Sequence, residues 1–160
     1  MEHNPFEPPS ELADVARGEA LAGESRGKKM YVPNHVALAA FLGTPLAGAW
    51  LIAANYVALG RSGDRTRTLV IGFVATLVLF GVASLLPDGF PGTFLGIAYA
   101  IALRELTRHL QGKQIDHVLA SGGTKHSGWR AAGVGVLFLV LALAVLGAVV
   151  VLSGENLPSD

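Results

Sequence analysis

Cysteine is absent from this chain, and charged residues are scarce. With no cysteine among 160 residues, the chain can form no disulfide, thiolate metal site or cysteine nucleophile. Charged residues make up 15%, against roughly 25% in an average soluble protein. The twelve basic and twelve acidic residues cancel, so no excess of charge points to nucleic acid. Apolar residues reach 51%, and the length allows one domain. This composition predicts a small all-α integral membrane protein.

Four apolar segments predict a polytopic helical protein with three or four transmembrane segments. They cover residues 36–59, 68–86, 90–103 and 131–152. As helices they would measure about 36, 28, 21 and 33 Å. A hydrocarbon core is about 30 Å thick, so the third segment is marginal and can span only if Arg104 extends its charge to the interface.

Polar stretches flank these segments. Residues 1–29 form an acidic tail that we expect to be flexible and that contains no apolar run typical of a signal peptide. We therefore expect insertion to use the uncleaved apolar segments. Residues 30–153 form a single membrane domain, and 154–160 a C-terminal tail. In the 104–130 stretch, helical spacing predicts that the third segment continues as one helix, broken at 121–124, after which Ser127 caps the last helix.

Basic residues are concentrated in three of the polar stretches. Lys and Arg number four in the N-terminal tail, three in 60–67 and five in 104–130, whereas 87–92 and 153–160 contain none. Cytoplasmic loops are enriched in these residues. If 36–59 enters and leaves on one side, all basic stretches are cytoplasmic. Four plain spans would instead place the N-terminal tail and its four basic residues outside. The net acidic charge of the tail makes this placement less unfavourable.

Helix-breaking residues lie in the middle of the first apolar segment. They are Gly43, Thr44, Pro45 and Gly48. Proline cannot donate to the backbone ladder, and glycine weakens a helix. A break in lipid also needs cover from neighbouring helices. Two alternatives follow: a short re-entrant hairpin, or an ordinary span kinked at Pro45.

The same region resembles a loose group of small uncharacterised bacterial inner-membrane proteins with a Gly-Pro-centred first apolar segment. The stretches that carry the resemblance are Tyr31-Val32-Pro33-Asn34-His35-Val36-Ala37, Phe41-Leu42-Gly43-Thr44-Pro45-Leu46-Ala47-Gly48, Asn55, Leu59-Gly60 and Ser127-Gly128-Trp129-Arg130. The resemblance covers roughly residues 31–152. It implies a bacterial inner membrane and no activity. The opening His3-Asn4-Pro5-Phe6-Glu7-Pro8-Pro9 also resembles the Asn-Pro-aromatic tails of many small bacterial membrane proteins, and this second resemblance implies a cytoplasmic N-terminus.

Few residues carry chemistry. Asn55 is the one amide inside an apolar segment, so it could bond a neighbouring helix, reach the headgroups or bind a small polar ligand. Arg104 and Glu105 form either an interfacial pair or a buried pair in a pore. We find no catalytic motif and predict no enzyme, cofactor or metal site.

Three histidines are the candidate metal ligands in the sequence. His109, His117 and His126 share one polar stretch, but eight residues separate the first two, about 12 Å along a helix. That distance is too long for one ion, so solvated histidines are the favoured interpretation.

Small residues recur four apart, as in Gly72–Thr76 and Ala144–Ala148, which predicts close helix packing within the chain or between copies.

Two functions remain open. The first is a non-enzymatic scaffold or regulator at the inner membrane, multi-pass with a cytoplasmic N-terminus and a periplasmic C-terminus. It would contact anionic lipid and a protein partner, or a second copy, through a basic cytoplasmic surface. The residues predicted for this surface are Arg104, Arg108, Lys113, Lys125 and Arg130. The alternative is a small transporter or channel component with a pore near the broken first segment. Its polar lining would have to come from Thr44, Asn55, Thr76, Ser84 and Tyr99.

Overall fold

The chain folds as a helical protein with a short helical hairpin at its centre. The computed structural model describes residues 19, 23, 25, 27–87 and 89–154, so most of the predicted tail 1–29 and residues 155–160 lie outside the described part. Five helices have both ends in that part: α1 (Pro33–Leu42), α2 (Pro45–Ala58), α3 (Ser62–Ser84), α4 (Gly92–Ala120) and α5 (Gly128–Gly154). The two strands are β1 (Lys29–Met30) and β2 (Thr124–Lys125). The predicted all-α class is confirmed.

The first apolar segment is divided into two helices. Pro33 and Pro45 each stand at the start of a helix, where the missing N–H costs nothing, and Gly43 and Thr44 join the two. The helices lie antiparallel, because Gly48 of α2 faces Val36 and Ala40 of α1. The predicted break therefore occurs at Gly43 and Thr44, whereas Gly48 lies inside α2 at the contact between the two helices.

The three long helices surround this hairpin. α3 packs against α2, and α4 packs mainly against α1. α5 packs against both helices of the hairpin. Among the described residues, the long helices pack against the hairpin more extensively than against one another. The apolar core accordingly lies in the hairpin, with Val36, Ala39, Leu51 and Ile52 almost completely buried.

Glycines permit the closest approaches. A side chain at Gly43 would meet the backbone of Gly135, and one at Gly72 would collide with Ala49. By contrast, Gly81 and Gly147 have open space beside them. The small residues at the first two positions therefore pack within the chain, as small residues do between membrane helices.

The polar ends of the elements meet at one end of the molecule, which we call the base. There β1 pairs with β2 in a parallel ladder, Lys29 opposite Thr124 and Met30 opposite Lys125. Met30 fills a second small core with Ile115 and Val118 of α4.

Helix ends at the base are set by local signals. Gly60 has a φ of 74° and Gly122 a φ of 90°, left-handed values that let α2 and α4 end in tight turns. The Oγ of Ser127 accepts a hydrogen bond from the N–H of Trp129, at 3.3 Å, which confirms the predicted cap of α5. The predicted continuation of the third apolar segment into the 104–130 stretch is also confirmed, because α4 is one helix of 29 residues.

Among the residues that the structure describes, two helices are long and apolar enough to cross a membrane, Ser62–Ser84 and Gly128–Ser153. Both expose most of their apolar side chains, including Phe73 and Leu146. Exposed apolar surface of this extent favours a membrane environment over water. α4 differs, because an apolar first half continues into a polar second half.

Candidate functional site

A buried hydrogen-bond cluster closes the base of the hairpin. The Asn55 side chain accepts a bond from the Tyr31 N–H and donates one to the Tyr31 carbonyl, both at 2.8 Å. It also donates to Oε1 of Gln111 on α4, at 3.1 Å. The Gln111 amide in turn donates to the carbonyl of Ile52, at 3.1 Å. Asn55 is 1% exposed and Gln111 is fully buried.

This cluster joins three parts of the sequence. It ties the segment before α1 to the last turns of α2, and both to the polar half of α4. Asn55 makes three of its four possible side-chain hydrogen bonds within the protein, because it donates two and its carbonyl oxygen accepts one. Of the roles predicted for Asn55, the structure places it in a helix-to-helix bond. The sequence analysis did not identify Gln111, although it lies four residues from both Thr107 and Ile115 on one buried face of α4.

Aromatic and imidazole rings lie next to this cluster. The rings of Tyr31 and His126 stack with centroids 4.1 Å apart, and His35 meets Tyr31 edge-on at 6.4 Å. Burial, with Arg130 and Lys29 nearby, lowers the pKa of His126 below its ordinary value. Burial and the charge of Lys125 lower the pKa of His35, which precedes the apolar segment 36–59. Both shifts favour the neutral form of the ring.

Metal binding gains no geometric support from the histidines. Across the described residues, no group of three His, Cys, Asp or Glu side chains could hold a metal ion. His126 lies in the ring stack, and its Nδ1 is buried without a hydrogen-bond partner among the described atoms.

Three of the five predicted docking residues line one cavity at the base. Arg104 and Arg108 of α4 and Lys125 of β2 border a volume of about 310 Å³ between α4 and the start of α1. Asp116 also borders it. The other two, Lys113 and Arg130, are exposed and do not line it.

Arg104 is oriented by two neighbours at the edge of this cavity. Its Nε donates to Oδ1 of Asn34 at 2.9 Å, and its Nη1 lies 3.3 Å from Oε1 of Glu105. Both partners of the Arg104–Glu105 pair are about half exposed. The pair is therefore open to its surroundings and is not buried among helices, as a pair inside a pore would be.

At the tip of the hairpin, a second polar contact holds α2 against α3. The Thr76 hydroxyl accepts a bond from the Leu46 N–H at 3.0 Å and donates to the Gly72 carbonyl at 2.8 Å. Thr76 thus supplies a partner for an N–H in the first turn of α2, which has no side-chain cap of its own. The break is covered by a neighbouring helix, as a break in lipid requires.

An apolar cavity of about 510 Å³ lies beside the tip, between α3 and α5. Thr44 and Thr76 border it, and its other lining side chains are apolar. Of the remaining polar candidates for a pore, Asn55 lies in the base cluster, the Tyr99 hydroxyl donates to the Ala40 carbonyl, and the Ser84 hydroxyl donates within α3. The structure therefore brings only part of the predicted lining together.

The arrangement of this base suits binding and positioning. It offers a hydrogen-bonded core, partly buried imidazoles and a cationic cavity. No protein-family model, curated protein or solved structure matches this chain, so the resemblance noted from the sequence stays a prediction and no family is assigned.

Proposed function

We propose that this protein is a non-enzymatic membrane scaffold of the bacterial inner membrane, with α1 and α2 as a re-entrant hairpin. The observation that carries the proposal is the bonding of Asn55 to the Tyr31 backbone, which brings the two ends of the hairpin together. Helices of 10 and 14 residues measure about 15 and 21 Å, less than the roughly 30 Å of a hydrocarbon core. A hairpin of this depth can enter a membrane and return to the same side.

The distribution of charge supports the same orientation. With the hairpin returning to its side of entry, Lys29 before α1, Arg61 before α3 and Arg108 on α4 all belong to the cytoplasmic base. The turn at 87–92 and the end of α5 then face the periplasm, and α3, α4 and α5 are the spans. The apolar half of α4 is short, so its span depends on Arg104 reaching the interface.

Scaffolding follows from two kinds of surface. The base presents cations to the cytoplasm, where they suit an acidic segment of a protein partner. Within the membrane, α3 and α5 expose apolar side chains that other helices can cover. Since the base cluster is internally bonded, it supports these surfaces rigidly and leaves the charged side chains for a partner.

Partner binding is tested by neutralising charge on the polar half of α4. The variant Arg108→Gln with Lys113→Gln removes two cations, and Arg65→Gln with Arg67→Gln removes two exposed cations at the start of α3 as a matched control. Each protein is cross-linked in bacterial membranes and purified by a tag. We expect the first pair to lose the partners that wild type and control retain. Retention of every partner by the first pair would contradict docking through this surface.

The alternative, a small transporter component, is favoured by one observation, the cavity of about 510 Å³ beside the break. Its lining would suit an apolar substrate better than an ion. Thr44→Val at the cavity edge, with Thr68→Val on α3 outside the cavity lining as control, tests this alternative. A transport phenotype lost only in Thr44→Val would replace the scaffold by the transporter.

A further inference from the structure

The cavity between α1 and α4 has the composition of an anion site. Arg104, Arg108 and Lys125 contribute three cations to its wall, against one carboxylate from Asp116. Arg104 has further N–H groups beyond those bonded to Asn34 and Glu105. Arg108 and Lys125 make no ion pair with any residue that the structure describes. Arginine in particular suits phosphate, because its fork of N–H groups matches the phosphate oxygens.

An apolar strip on α4 begins where the cavity ends. This strip consists of Ile101, Ile97 and Phe94, which precede Arg104 in the sequence at helical spacing. They lead from Arg104 towards the tip of the hairpin, and all three are exposed. From Arg104 to Phe94 the helix rises about 15 Å, which is half the roughly 30 Å hydrocarbon thickness, the depth of one leaflet.

α1 continues this strip on its own side. Leu38 and Phe41 are exposed and lie on the same face as Asn34. The two helices run antiparallel, with Asn34 bonded to Arg104 at one end and Phe41 beside Gly96 at the other. Exposed apolar side chains of both helices thus extend from the cationic cavity towards the tip of the hairpin. We call the cavity together with this apolar surface the groove.

We propose that this groove binds one anionic phospholipid, with its phosphate among Arg104, Arg108 and Lys125 and an acyl chain along Ile101 and Ile97. The shared chemistry is a phosphate group, which a lipid or a soluble phosphate could supply. The lipid is the occupant chosen, because the apolar strip has the length of one leaflet and lies directly beneath the cations. Basic pockets between membrane helices on the cytoplasmic side bind lipid headgroups in this way. The inference rests on the proposed membrane orientation.

Lipid retention by the purified full-length protein tests the proposal. Native mass spectrometry in detergent measures binding of phosphatidylglycerol, phosphatidylcholine and inorganic phosphate to each variant. We expect Arg108→Gln to weaken phosphatidylglycerol binding about five- to tenfold, since one cation near an anionic headgroup is lost. Lys113→Gln is the matched control, because it removes a cation from the same helix outside the cavity. Wild type should bind phosphatidylcholine more weakly than phosphatidylglycerol.

A variant that gains binding distinguishes a lost cation from misfolding as the cause of weaker binding in Arg108→Gln. Asp116→Asn removes the one carboxylate in the cavity wall, so it should tighten phosphatidylglycerol binding several-fold. Equal binding by Arg108→Gln and Lys113→Gln, or no gain in Asp116→Asn, would overturn the proposal. Inorganic phosphate bound as tightly as the lipid would assign the site to a soluble phosphate and overturn the lipid.

Failure here is distinguishable from failure of the scaffold. The lipid measurement uses purified protein without partners, whereas docking is read from cross-linked membranes. Loss of partners in Arg108→Gln with Lys113→Gln, together with unchanged lipid binding in Arg108→Gln, would leave the scaffold standing and remove only the lipid site.

Discussion

Replacing Asn55 by leucine should open the base of the hairpin. Leucine has the same branched arrangement of four side-chain heavy atoms as asparagine but cannot form hydrogen bonds. The Tyr31 N–H, the Tyr31 carbonyl and Oε1 of Gln111 therefore all lose a partner. Each bond contributes about 0.6 kcal/mol in a membrane protein and up to about 1.5 kcal/mol in a soluble one. Three bonds therefore predict a loss of about 2 to 4.5 kcal/mol in the free energy of unfolding.

The loss can be measured by titrating mixed micelles with a denaturing detergent and following helicity. Gln114→Leu is the matched control, because it removes a half-buried amide from α4 whose Oε1 has no hydrogen-bond partner. A double-mutant cycle between Asn55 and Gln111 should give a coupling free energy of at least about 0.5 kcal/mol. If Asn55→Leu costs no more than Gln114→Leu, or if the cycle shows no coupling, the account of the base is wrong.

Three further perturbations test the tip, the packing and the rings. Thr76→Val leaves a first-turn N–H of α2 without a partner and should cost about 1 to 3 kcal/mol in unfolding free energy, whereas Thr68→Val removes only a bond within α3 and should cost less. Gly72→Leu collides with α2 and should destabilise by about 1 to 3 kcal/mol, whereas Gly81→Leu enters open space and should not. Because the pKa of His126 is lowered from 6.5, the unfolded chain binds more protons than the folded protein as the pH falls through that value. Stability should therefore decrease as the pH is lowered from about 7.5 through 6.5. In the His126→Phe variant this fall should be smaller. Equal losses in either pair, or an unchanged pH profile in His126→Phe, would contradict the corresponding contact.

Local signals in the sequence predicted several element boundaries. Pro45 with Gly43 identified the break between α1 and α2, and Ser127 identified the start of α5. The glycines at 122 and 123 identified the end of α4. Each of these depends on a conformational preference of one or two residues, which a single sequence displays directly.

Contacts between residues far apart in the sequence cannot be predicted from such local preferences. The bond between Asn55 and Gln111 joins residues 56 positions apart, and no periodicity links them. The parallel ladder of β1 and β2 is equally invisible, because strands of two residues show no alternation of apolar and polar side chains. The five docking residues were chosen by charge alone, and only the fold divides them into three that share a cavity and two that do not.

Membrane topology is the most direct test of the central claim, that α1 and α2 enter and leave on the same side. Because the chain lacks cysteine, single cysteines can replace Ser10, Ser62, Gly92 and Ser153 and be probed in intact cells with an impermeant thiol reagent. Labelling after permeabilisation is the control for reactivity at each position. The account predicts that positions 10 and 62 are shielded while 92 and 153 are labelled. Labelling at position 10 with position 62 still shielded would show that the first apolar segment crosses the membrane, and would contradict the account.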